Sequence, residues 1–108
     1  MAEPHWVRVV RTDELVLGRG RFAAVGGHEL AIFRLADPGR YVVVENACPH
    51  AGGNLAAGEV RAGVVTCPWH EWKFNLNSGR CTLASDVGLT RYECRVEDGY
   101  LWALLPGA

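Results

Sequence analysis

Apolar residues in this chain arrive in short alternating bursts broken by glycine and proline, with no sustained helical period. That pattern predicts many brief strands joined by hairpins. Trp6 to Arg11 reads as a first strand, followed by a turn near Thr12 to Leu15. Arg21 to Val25 leads through Gly26-Gly27, a two-residue hairpin turn, into His28 to Leu35. Asp37-Pro38-Gly39 turns the chain into Tyr41 to Glu45. Toward the C-terminus Tyr92, Cys94 and Val96 alternate with Glu93, Arg95 and Glu97, the period of two expected of one half-buried strand. Asp98-Gly99 marks another hairpin, and Tyr100 to Leu105 returns apolar on both faces. The expected fold class is all-β, a single domain over residues 1–108 made of packed antiparallel sheets.

The stretch from about residue 46 to 79 departs from this pattern. Its strands are brief, with a small hairpin over Val60 to Val65 and a closing turn at Asn77-Ser78-Gly79. Its loops are rich in Gly, Pro, Cys, His and Trp, and loops held over a strand scaffold are where function concentrates.

Composition narrows the classes. Apolar residues at 49% and charged residues at 21% of 108 suit one globular domain with an adequate core and exclude disorder. Eleven basic against twelve acidic side chains, with no block of like charge, leave no electrostatic grip on nucleic acid or an anionic membrane. The longest apolar run, Tyr100 to Leu105, is far below the roughly 18 residues of a membrane span. The N-terminus lacks a secretion pattern, so the expected location is the cytoplasm. Lys73 is the one lysine, and no glycine-rich phosphate loop precedes it. No nucleophile, acid–base pair or open metal position stands out, so the expected role is not that of an enzyme but of a component working with other proteins.

The chemistry lies in two short motifs, Cys48-Pro49-His50 and Cys67-Pro68-Trp69-His70, with 16 residues between His50 and Cys67. Thiolate and imidazole together suit zinc or an iron–sulfur centre and suit calcium or magnesium poorly. A structural zinc site usually pairs cysteine with cysteine and histidine with histidine, whereas each motif here offers one sulfur and one nitrogen. That division is natural for a two-iron centre in which two sulfurs hold one iron and two imidazoles the other. Prolines after each cysteine stiffen the loops, and Gly52 and Gly53 permit close backbone approach.

These motifs, extended by Trp72-Lys73-Phe74-Asn75 and Ser78-Gly79, resemble the binding signature of the Rieske [2Fe–2S] family, and the strands on either side carry the likeness over nearly the whole chain. The resemblance implies a Rieske-like antiparallel β-sandwich or barrel with an inserted cluster-binding subdomain at about 46–79. It implies one [2Fe–2S] cluster per chain, held by Cys48, His50, Cys67 and His70. In the high-potential branch of the family each loop adds a cysteine to a bracing disulfide; the matching positions here are Gly53 and Trp69. That branch also places serine and tyrosine hydroxyls where Trp72 and Phe74 stand. Hydrogen bonds to cluster sulfur stabilise the reduced state, so their loss, together with Glu71, implies a potential toward the low end of the Rieske range, about −150 mV.

Such a potential suits a soluble carrier passing single electrons from a flavin reductase to an oxygenase or similar oxidoreductase. The alternative is the small Rieske subunit of an NAD(P)H-dependent nitrite reductase, and a structural zinc module stands behind both. The family's pattern makes the outer edges of His50 and His70 the electron exit, with Pro49, Ala51, Trp69 and Leu55 as a small apolar rim that a partner covers briefly. The lone chain is expected to be a monomer. Cys81 and Cys94 are expected to be buried free thiols rather than a disulfide. His5 and His28 are expected at the surface or at strand edges, and Trp6 and Trp102 in core or rim packing.

Overall fold

The structure of the chain, a computed structural model, describes residues 3–36, 40–46, 55–67, 73–82 and 88–106. The strands are β1 (His5–Arg11), β2 (Gly20–Val25), β3 (His28–Ala36), β4 (Arg40–Glu45), β5 (Glu59–Arg61), β6 (Val64–Thr66), β7 (Lys73–Asn75), β8 (Arg91–Tyr92), β9 (Cys94–Glu97) and β10 (Tyr100–Leu105). Among the described residues there are also two single turns of 3-10 helix, Thr12–Glu14 and Leu55–Ala57. The fold is all-β, and every strand pair is antiparallel.

Among the described residues three sheets form, ordered β1-β10-β9, β2-β3-β4-β8 and β5-β6-β7. The four-stranded sheet lies between the other two, and the pleat explains how. Leu30, Ile32 and Val43 point to one face and join Val10, Leu101, Ala103 and Leu105 in the first core. Ala31, Phe33, Val42 and Val44 point to the other and join Leu55, Val65, Phe74 and Leu76 in the second. Successive residues serve opposite cores because strand side chains alternate in direction. A central sheet buried on both faces therefore needs the unbroken apolar runs seen in β3 and β4, as parallel-sheet strands do for the same reason. Each fully buried Leu, Ile, Val or Phe contributes about 1.5–3 kcal/mol to folding.

The hairpin turns take the geometry their residues favour. Gly26-Gly27, Ala62-Gly63 and Asp98-Gly99 all have positive φ at both positions. That is the arrangement whose twist matches antiparallel strands. Ala62 is the one alanine there, held at φ 50° by the tight connection of β5 to β6.

One expectation requires correction. Tyr92 to Glu97 is not a single strand, because β8 pairs with β4 in the central sheet while β9 pairs with β10 in the outer one. The chain crosses between layers at Glu93, whose carbonyl accepts a hydrogen bond from the Leu104 amide at 2.8 Å. Beyond the crossing the inward face runs out of cover, and Val96 is 50% exposed. The turn at Asp37-Pro38-Gly39 lies outside the described residues.

Candidate metal centre

Of the four predicted ligands, the structure describes Cys67; Cys48, His50 and His70 lie outside the described residues, as do Pro49, Ala51, Gly52, Gly53, Trp69, Glu71 and Trp72. The described residues do define the frame from which both segments with the predicted ligands leave and return.

The second segment is closed by a ladder. Thr66 at the end of β6 is paired with Lys73 at the start of β7, so residues 67–72 begin and end at neighbouring backbone positions. Val65 pairs with Phe74 one step below, and both side chains are fully buried. The Phe74 backbone bridges on to Cys81, while the Thr82 amide donates to the Lys73 carbonyl at 2.9 Å, adding a further edge behind β7.

The first segment is closed by one residue, through its main chain and its side chain. Asn46, 8% exposed, directly follows β4 and anchors itself by donating its amide to the Glu29 carbonyl at 2.9 Å. Its own carbonyl accepts from the Leu55 amide at 3.0 Å, and its Oδ1 accepts from the Ala56 amide at 3.0 Å. Residues 47–54 are thus bracketed between hydrogen-bonded ends. Just before Asn46, Glu45 donates its amide to the Thr90 carbonyl at 2.9 Å and accepts the Tyr92 hydroxyl on Oε2 at 2.8 Å. Burial, and then that hydrogen bond, push the Tyr92 hydroxyl up to about 12.

The two closures meet at Gly58. Its amide donates to the Leu55 carbonyl at 2.9 Å, and a Cβ there would stand 2.4 Å from the Thr66 carbonyl oxygen and 3.1 Å from that of Leu55. Only glycine lets the backbone of the first closure approach that of the second so closely. Leu55, Val65 and Cys67 then share one apolar cluster. A second close approach, with Gly20 placing a would-be Cβ 2.4 Å from the Ala56 carbonyl oxygen, and a bridge between Arg19 and Glu59, tie this assembly to the central sheet.

Cys67 fits a metal-bound thiolate. It is a free cysteine, fully buried, and it directly follows β6 against the apolar cluster. A metal bound there would compensate the charge of a thiolate that has little access to water. Leu55 is corrected: it is 0% exposed and belongs to the core, so it forms no part of a partner-facing rim.

The other candidates fall elsewhere. Cys81 and Cys94 are both free, Cys81 buried beside the ligand frame and Cys94 half-buried on the opposite side of the central sheet. That separation rules out a bond between them. Cys94, half-buried rather than buried, donates its thiol to the Tyr41 carbonyl at 3.4 Å, and burial pushes its pKa up. His5 is exposed at the start of β1, and the half-buried His28 ring meets Tyr92 edge-on at 5.8 Å. Trp6 lies under the Arg95 guanidinium at 4.3 Å. Asn46 and Gly58, which join the ends of these segments, are positions that sequence reasoning missed. The available signal was a polar residue ending an apolar strand just ahead of a ligand motif, and asparagine is too common in turns for that to single it out.

Residues 5–93 match the family model of the Rieske [2Fe–2S] domain. The cholesterol 7-desaturase nvd of Hemicentrotus pulcherrimus is 36% identical over 77 residues, 70% of this chain. This chain spans 16% of that protein's length. Among solved structures, the ferredoxin of carbazole 1,9a-dioxygenase from Nocardioides aromaticivorans IC177 superposes with a TM-score of 0.83 at 26% identity, covering 96% of this chain and 99% of that one. A Mycobacterium tuberculosis protein described as the small subunit of an NADH-dependent nitrite reductase gives a TM-score of 0.84 at 27% identity, covering 99% and 100%. With 89 consecutive residues matched and a buried free thiol at the ligand frame, the chain belongs to the Rieske [2Fe–2S] domain family, an electron-transfer domain carrying one such cluster.

Proposed function

We propose that this chain is a ferredoxin-type carrier in which Cys48, His50, Cys67 and His70 hold the cluster, passing single electrons from a flavin reductase to an oxygenase or similar oxidoreductase. The observation that carries this reading is the joined pair of loop closures, with buried Cys67 at the base of one and Asn46 at the base of the other. When bound, the cluster supplies one-electron chemistry without bond-making. The protein's own residues supply a fixed, apolar base: hydrogen bonds hold the ends of both segments, and Leu55, Val65 and Phe74 pack with Cys67 in one buried cluster. Rigid surroundings suit electron transfer, because little has to reorganise between the two redox states.

The end-to-end match with the carbazole dioxygenase ferredoxin supports the carrier reading. The equal match in length with the Mycobacterium tuberculosis protein supports a second one, in which the chain is the small subunit of a nitrite reductase. Among the described residues no helix is long and apolar enough to cross a membrane, which is compatible with a cytoplasmic carrier. The carrier is expected to be monomeric alone and to have no catalytic activity of its own.

Anaerobic stopped-flow spectroscopy tests the proposal. A flavin reductase with NADH is expected to bleach the visible band of the purified holoprotein, and an oxygenase is expected to restore it. A stable complex with a sirohaem-containing subunit on gel filtration, with no turnover by free flavin reductase, would instead select the subunit reading. A colourless protein containing zinc and no sulfide would defeat both.

A further inference from the structure

We infer that Asn46 is a positioning residue for the cluster, the clasp that joins the two ends of the segment carrying Cys48 and His50; this rests on the ligand assignment proposed above. The side chain reaches across ten positions of sequence to accept the Ala56 amide on Oδ1 at 3.0 Å, while its carbonyl accepts the Leu55 amide at the same distance. Those two amides open the 3-10 turn Leu55–Ala57. The first amides of a helical turn have no partner within it, so they take one from outside. Here the outside partner is the residue on the far side of the segment that contains Cys48 and His50.

Three features separate this from ordinary turn capping. Asn46 is itself immobilised, buried to 8% exposure and tied through its own amide to Glu29 of β3. The returning end is equally fixed, since Leu55 is fully buried and Gly58 holds it against Thr66 of the second closure. The bonds also join two ends whose separation the intervening eight residues must otherwise set by themselves. Removing Oδ1 leaves the Ala56 amide without an acceptor and frees one end of that loop relative to the frame that carries Cys67.

The test compares full-length holoprotein with the variants N46A, N46D and N46S. An Asp retains an acceptor oxygen at the same reach, whereas a Ser is one bond too short. N46A is expected to lose the visible band to a chelator about tenfold faster than wild type, the effect of one buried amide left without its acceptor. Its reduced EPR spectrum is expected to show shifted or broadened g values, with far-ultraviolet circular dichroism unchanged. N46D is expected to restore the wild-type g values. If N46A does not fold, N46S decides in its place, with the same accelerated bleaching expected. Wild-type bleaching and g values in N46A or N46S, or an N46D protein that behaves like N46A, would overturn the clasp. A wild-type protein with no visible band and no sulfide would instead defeat the cluster assignment, whatever the variants do.

Discussion

Replacing Gly58 by alanine drives a methyl group into the junction between the two loop closures. The new Cβ would sit 2.4 Å from the Thr66 carbonyl oxygen, 2.9 Å from Val65 Cγ2 and 3.1 Å from the Leu55 carbonyl oxygen. Ordinary contact begins near 3.4 Å, so the Thr66 backbone must retreat by about 1 Å. Two of the three obstructing atoms are main-chain oxygens, which cannot swing aside as a side chain does. Overpacking of this kind costs about 3 kcal/mol, the upper end of the usual range. For a domain of this length that lowers Tm by about 12 °C. Because Thr66 immediately precedes Cys67, the same displacement should also alter the EPR spectrum of the reduced cluster. Gly99→Ala is the control: its φ of 78° is unfavourable for alanine, but no atom lies within 4 Å of the added carbon. It should cost only the backbone strain, about 1 kcal/mol, and leave the spectrum untouched. The assay is thermal melting of both holoproteins by circular dichroism, with EPR of the dithionite-reduced forms. A Gly58→Ala protein that melts with the Gly99→Ala control and keeps wild-type g values would refute the junction.

Further predictions follow from the same geometry. Cys67→Ser and His50→Ala should each abolish the cluster, read as loss of iron, acid-labile sulfide and visible colour; full iron retention in either would remove that residue from the ligand set. The midpoint potential should fall near the low end of the Rieske range, about −150 mV, since Phe74 brings no hydroxyl to the second segment; a value well above zero by redox titration contradicts this. Tyr92 keeps its proton to about pH 12 in the folded chain, whereas the unfolded group titrates near 10. Its stabilising contribution is therefore complete below pH 10 and is lost as the pH rises through 12. The Tm gap between wild type and Tyr92→Phe should shrink across that window, and a constant gap would count against the Tyr92–Glu45 bond.

Much of this molecule could be read residue by residue. The strands and hairpins are local: alternation of period two, and dipeptides such as Gly26-Gly27 and Asp98-Gly99 whose conformational preference extends over two positions. The ligand motifs are local as well, since a cysteine and a histidine one or two residues apart declare their chemistry before any folding. Other features depended on which layer covers which. The alternation from Tyr92 to Val96 is real, yet it cannot tell that the chain changes sheets at Glu93 and leaves Val96 uncovered. Leu55 stands one residue beyond the first segment and would serve equally as rim or core; burial under Val65 and Phe74 made it core. Asn46 and Gly58 became important only when positions ten residues apart, and the two open ends of the β5–β6 hairpin, were brought within hydrogen-bonding or contact distance. Local preferences act over a few bonds and survive in any context, whereas a clasp or a close approach exists only after the layers have packed.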